Sequence, residues 1–278
     1  MAESNQRRTN QGTSTGEIAL SVRIITPIVL GILTIALWEF AVRYWQIPKF
    51  IIPAPSMIAE ALFKDRTVLA LSFWSTLKIT VAAFCIAAIL GISVAVLFVQ
   101  SKLFEIGLFP YAVILQVTPV VAIAPFILIW VGLDHVERAL LILATIVAFF
   151  PILSNTTLGL KSVDHNLRNL FDLYGASRFQ RLKELEFPSS LPFMLGGLKI
   201  SGGLALIGAV VAEFVAGSGT DNGLAWRIVE SANRLDIPRM FAALLLLSIL
   251  GISIFFGLSF VENLLLHKWH ESAVRREN

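Results

Sequence analysis

Residues 163–199 read VDHNLRNLFDLYGASRFQRLKELEFPSSLPFMLGGLK, a charged island between two long apolar stretches. Leu167, Leu170, Phe171 and Tyr174 recur at helical spacing, which predicts one short amphipathic helix. Gly175 follows as a natural C′ residue, since glycine takes the left-handed conformation without steric cost. Ser177 and Gln180 have the spacing of a capping box and open a second helix. Pro188 is expected to close that helix, because it lacks an N–H and biases Phe187 away from α geometry. A helix, a glycine turn and a second helix on one loop suit a docking surface for a soluble partner.

The sequence on either side makes the loop part of a membrane protein. Of 278 residues, 56% are hydrophobic and only 15% charged, and the mean hydropathy is +0.78. Soluble domains have about a quarter of their residues charged. A helix needs roughly 20 apolar residues to cross the hydrocarbon core. Residues 79–99, 106–133, 139–160 and 240–261 offer uncharged runs of that order, while 24–44 and 200–217 are interrupted by Glu39 and Glu213. Six spans are expected, within an all-α membrane domain over 21–270 that carries the cytoplasmic loop 161–199. Arg7, Arg8, Arg23, Lys102, Lys161, Arg168, Arg178, Arg181, Lys183, Lys199, Lys268, Arg275 and Arg276 fall on one side. The other side holds fewer basic residues, so the N- and C-termini are expected inside the cell. Lys78 lies at an outer span edge, where it can snorkel.

Residues 1–20 are polar and read as a disordered cytoplasmic tail, and 271–278 as a second tail. No cleavable signal is expected, since the first apolar run has full span length. Cys85 is the single cysteine, which excludes an intramolecular disulfide framework. The net charge of +3 fits loops facing anionic lipid; no nucleic-acid partner is expected without an aromatic and basic groove.

Prolines and polar groups inside the spans mark candidate pathway residues. Pro110, Pro119 and Pro125 interrupt the third span and Pro151 the fourth, each freeing a carbonyl that needs a partner at membrane depth. Gln116 and Thr118 beside Pro119 either line a path or hydrogen-bond between packed helices. Gly196, Gly197, Gly202, Gly203 and Gly208 make the fifth span an interface helix. Glu213 is a functional candidate as an intramembrane charge, or equally a structural hydrogen-bonding group near a re-entrant backbone. His135, His165, His267 and His270 are scattered and lack metal-site spacing.

Leu173-Tyr174-Gly175-Ala176-Ser177-Arg178, followed by Phe187-Pro188 and Leu191-Pro192 before Gly197-Leu198-Lys199, resembles the coupling loop of bacterial ABC importer permeases. That loop has a glutamate-alanine-alanine segment, a glycine and a leucine-proline pair. More narrowly, the chain is similar to the nitrate/sulfonate/taurine type. The resemblance is carried by Ile52-Pro53-Ala54-Pro55-Ser56, by Gln116-Val117-Thr118-Pro119 through Pro125 to Trp130-Val131-Gly132, and by Ala212-Glu213-Phe214 with Asn222-Gly223-Leu224. It departs at Asn169, Leu170 and Phe171, where the family has the acidic and small residues, and around Leu133-Asp134.

The resemblance implies a type I importer permease of the bacterial inner membrane. It implies a homodimer with the pathway at its interface, two cytoplasmic ATP-binding subunits and an extracytoplasmic solute-binding protein. Coupling would run through Leu173, Tyr174, Gly175, Ala176, Ser177, Arg178, Gln180, Leu185 and Pro188. Arg178, Arg181 and Lys183 would face acidic groove residues of the ATPase, or else lipid phosphate. The candidate pathway set is Gln116, Thr118, Pro119, Pro125 and Glu213. No cofactor is expected in this chain, because ATP and Mg would sit on the partner subunits and no Walker-type lysine loop occurs here. No enzymatic activity is expected either. The implied cargo is a small anion (nitrate, a sulfonate or taurine) or a small nitrogen heterocycle. An ion-coupled secondary transporter is the alternative, but it calls for inverted repeats. An intramembrane hydrolase would call for a histidine-bearing constellation within the spans, which hold none.

Overall fold

The computed structural model describes residues 20–217 and 223–266. The expected tails 1–20 and 271–278, Leu20 apart, lie outside those residues, as do Asn222, His267 and His270. Every regular element among the described residues is helical. In chain order they are α1 Leu20–Tyr44, α2 Pro55–Lys64, α3 Arg66–Gln100, α4 Lys102–Val117, α5 Val120–Val131, α6 Val136–Lys161, α7 His165–Leu173, α8 Arg178–Arg181, α9 Phe187–Ala216, α10 Leu224–Asn233 and α11 Ile237–Leu266. Five stretches of these helices are long and apolar enough to cross a membrane, six if the bent pair α4–α5 is one span.

The described residues divide into two compact units, one up to Met57 and one from Ile58 on. In the first, the apolar stretch Ile25–Tyr44 ends in a turn at Gln46, whose φ is +49°. Glu39 accepts hydrogen bonds from the Ser56 N–H at 3.0 Å and the Ser56 hydroxyl at 2.9 Å, and it pairs with Arg43. The proline-x-proline-serine segment is thus tied to the end of α1 by its serine.

In the second unit α6 lies between α3 and α9. Lipid is as apolar as a side chain, so packing here depends on close backbone approach. One apolar cluster joins Ile79 and Ala83 of α3, Ala124 of α5, Leu140, Leu143 and Ala144 of α6, and Ala209 and Ala212 of α9. Gly197 and Gly208 let α9 lie directly on α6: a Cβ at either would come within 2.8 Å of Asn155 Cβ or Ala144 Cα. Gly202 faces Leu258 of α11, whereas Gly196 and Gly203 have nothing within 4 Å of a Cβ. The glycines expected to form one interface therefore divide, three to neighbouring helices and two to an open face.

One further expectation holds and one is corrected. The third span breaks beside Pro119, where α4 and α5 meet at 103°. Thr118 and Pro119 take extended geometry, and the Thr118 hydroxyl donates to the Ile114 carbonyl at 2.7 Å, so the chain leaves the helix altogether. Pro188 does not end its helix. Residues Leu182–Glu186 form a π-turn in which the Phe187 N–H reaches the Leu182 carbonyl, and α9 runs on through Pro188 and Pro192. The turn shifts the hydrogen-bond ladder by one residue, placing Pro188 in a first helical turn where its missing N–H is tolerated.

Candidate functional site

The loop at residues 162–186 is built from local hydrogen bonds. The Asp164 carboxylate accepts the Asn166 N–H at 2.6 Å and opens α7. At the other end Gly175 has φ +66°. Its N–H donates to the Asp172 carbonyl at 3.1 Å, and the Ala176 N–H donates to the Phe171 carbonyl at 3.0 Å. This pair of bonds is the Schellman pattern, and it requires a left-handed residue at 175. Two residues on, the capping box is complete: the Gln180 N–H donates to Ser177 Oγ at 3.2 Å and the Ser177 N–H to Gln180 Oε1 at 2.8 Å. The turn between α7 and α8 is therefore hydrogen-bonded on both sides.

That ordered turn carries apolar groups with nothing on them. Leu173 and Tyr174 are each 84% exposed and Phe179 is 70% exposed. Beside them a cleft of about 370 Å³ is lined by Leu170, Phe171, Tyr174, Gly175, Ala176, Gln180 and Glu184. Exposed apolar groups clustered on a rigid frame mark an interaction site. Of the residues expected to couple, Leu173, Tyr174, Gly175, Ser177, Arg178 and Gln180 are exposed and Ala176 is half-buried. Leu185 is buried within the chain and Pro188 half-buried, so these two support the loop from behind.

Charge partners inside the loop escaped the sequence reading. Arg181, expected to face outward, donates to Asp172 at 2.9 Å and lies 3.3 Å from Glu186. Arg168 of α7 lies 3.5 Å from the same Glu186 oxygen. Arg178 and Lys183 remain exposed. Glu186 itself is 2% exposed; its only sequence signal was a carboxylate placed directly before the Phe-Pro step.

The opposite end of α9 holds Glu213, 3% exposed. Thr76 of α3 donates its hydroxyl to Glu213 Oε1 at 2.7 Å, and the Ala225 N–H donates to Oε2 at 2.9 Å. The Leu224 N–H donates in turn to Thr76 Oγ1 at 2.9 Å. Glu213 thus closes the N-terminus of α10, where unpaired N–H groups and the helix dipole favour an anion. The close approach explains Gly223: a Cβ there would sit 2.0 Å from Glu213 Oε1. Of the two readings open for Glu213, the structural hydrogen bond is what the geometry contains. Gln116, Pro119 and Pro125 are exposed around the α4–α5 break, and Thr118 is half-buried. The structure does not bring them to the Glu213 carboxylate, which is turned toward α3 and α10. Lys199, expected in the loop, lies within α9 and pairs with Glu262 of α11 at 2.9 Å, over the Phe255 ring.

Residues 87–267 match the model of a family described as binding-protein-dependent transport system inner membrane component. The formylaminopyrimidine transport permease of Halalkalibacterium halodurans is 30% identical, over 88% of this chain and 96% of its own. A putative aliphatic sulfonates transport permease of Bacillus subtilis is 28% identical, over 81% of this chain and 80% of its own. A solved structure of the MetNI methionine ABC transporter in inward-facing conformations aligns with a TM-score of 0.57 at 19% identity, covering 70% of this chain and 94% of that one. It shares the fold.

Proposed function

The chain belongs to the binding-protein-dependent transport system inner membrane component family, and from that premise we propose how this ABC importer permease works. Its cytoplasmic contact is the turn between α7 and α8. The observation that carries this reading is the cluster of Leu173, Tyr174 and Phe179, all exposed on a backbone fixed by the Schellman bonds and the capping box. Two ATP-binding subunits each receive one such turn, with Arg178 and Lys183 beside it to meet acidic groove residues. A second copy of this chain completes the translocation pathway, and the α4–α5 break with Gln116, Thr118, Pro119 and Pro125 contributes to its wall. With the loop inside the cell, both termini are cytoplasmic and the membrane is the bacterial inner membrane. α10 then lies outside, where a solute-binding protein delivers cargo.

This chain supplies a conduit and a lever rather than catalysis, with ATP and Mg bound by the partner subunits. The cargo is a small anion, such as a sulfonate, or a small nitrogen heterocycle, in line with the substrates for which the relatives are named. An ion-coupled mechanism through Glu213 is the weaker reading, because both of its oxygens already accept hydrogen bonds.

The test is co-purification from detergent of the tagged chain, comparing wild type with Gly175→Asp. A side chain at φ +66° is strained, and a carboxylate would sit in the docking face. An ATP-binding subunit should accompany the wild type and be lost from the variant. Failure of any such subunit to co-purify with wild type would remove the docking assignment.

A further inference from the structure

The helix that carries half of the docking surface is poorly anchored. α7 has no buried residue and makes no extensive backbone contact with any other helix. Leu167, Leu170 and Leu173 face outward and Phe171 is only half-buried, so apolar packing gives α7 a weak root in the chain behind it. Segments with few buried apolar contacts open at low free-energy cost. Yet a docking helix can pass on a displacement only if its angle to the spans is held.

What holds it is a line of alternating charges. Arg168 on α7 meets Glu186 on the π-turn, Glu186 meets Arg181 on α8, and Arg181 returns to Asp172 on α7. Glu186 is the buried centre of the line and the one member that belongs to the root of α9. The four formal charges sum to zero. A buried ion cluster is weak grounds for stability, since apolar side chains of like volume often serve as well. Its particular property is direction, because a carboxylate between two guanidiniums restrains both helices against rotation and sliding. The sole covalent path from α7 to α8 is the short turn at 174–177.

We propose that Glu186 is the positioning residue that makes the docking helix α7 and the span α9 move as one body. The inference rests on the docking assignment above: the ATPase moves α7, and Glu186 carries that movement to α9 before the turn can flex and absorb it. Arg168 and Arg181 act through Glu186 and are not offered to the partner.

The test uses the full chain with Cys85→Ser, spin-labelled at Asn166→Cys on α7 and Ile200→Cys on α9. Both sites are exposed and neither belongs to the cluster. The α7-to-α9 distance distribution should be narrow in this background and clearly broadened by Glu186→Gln. An unchanged width would overturn the proposal, and this arm needs no ATPase, so it stands even if the docking assignment fails. In the complete complex, singly labelled chains report the α7-to-α7 and α9-to-α9 spacings between the two copies before and after MgATP with vanadate. Glu186→Gln should keep the complex and the nucleotide-driven change at α7, while at least halving the change at α9. Equal changes at both helices, or loss of the complex in Glu186→Gln alone, would each overturn it. A purely structural role would lower the yield of complex and leave the ratio of the two changes untouched.

Discussion

The two ends of α9 solve one problem in different ways. Each buries a glutamate, Glu186 at 2% and Glu213 at 3% exposure. At the end beside the loop 162–186 the carboxylate is flanked by Arg168 and Arg181. At the far end it is held by the Thr76 hydroxyl and by the backbone N–H of Ala225 at a helix terminus. Ion pairs are long-range and tolerate small displacements, whereas hydrogen bonds to backbone N–H groups fail beyond a few tenths of an ångström. The end beside the loop is therefore held by pairs that stay attractive through a small shift and so keep α7 and α9 coupled, while the α10 end is a fixed seat.

The largest effect expected from breaking this contrast is at Glu213. Glu213→Ala leaves the Thr76 hydroxyl and the Ala225 N–H buried without an acceptor. That should cost about 2–5 kcal/mol, read as a fall in the melting temperature of the detergent-purified protein. A wild-type melting curve would refute the seat. Next is Ser177→Ala, which removes one bond of the capping box and should cost about 1 kcal/mol. Hydrogen exchange should rise at residues 178–181 and stay unchanged across α10.

Salt sharpens the comparison more gently. Raising ionic strength from 0.1 to 1 M shortens the screening length from about 10 to about 3 Å. Exchange protection of α7 should weaken by a few tenths of a kcal/mol, while the α10 N-terminus keeps its protection. Equal loss at both ends would dissolve the distinction.

The smallest effect concerns pH at the far end of α10. The hydrogen-bonded guanidinium of Arg227 holds the Glu230 carboxyl below its ordinary value of 4.5, against partial desolvation, with Arg234 adding to the pull. A depressed folded-state value means that the stabilisation is present above the ordinary value and is lost as pH falls through the folded one. Protection of the last turn of α10, corrected for intrinsic exchange, should be flat from neutral pH to about 5 and decline below the ordinary value of 4.5. Glu230→Gln should abolish that decline.

The loop at 162–186 was largely legible in the sequence because its backbone bonds are short-range. Gly175 answers to a residue three positions back, Ala176 to one five back, and Ser177 to Gln180. The spans were legible through their apolar length. The α4–α5 break was visible as Gln-Val-Thr-Pro, yet its angle of 103° was not, because a proline interrupts a helix without setting the direction in which the chain resumes. Pro188 misled for a related reason: the π-turn before it depends on the join to α9, and local propensity carries no sign of that.

The sequence by itself determined a polytopic helical membrane protein with a capped, glycine-turned loop, since both follow from composition and from bonds closed within a single turn. Only the tertiary structure decided which way each charged group faces. Arg181 turns inward, Lys199 crosses to Glu262, and Glu213 seats a helix together with Thr76, 137 residues away. A buried charge takes whichever partner the packing brings within reach, and that partner is set by how α3, α6 and α9 lie together rather than by neighbours along the chain.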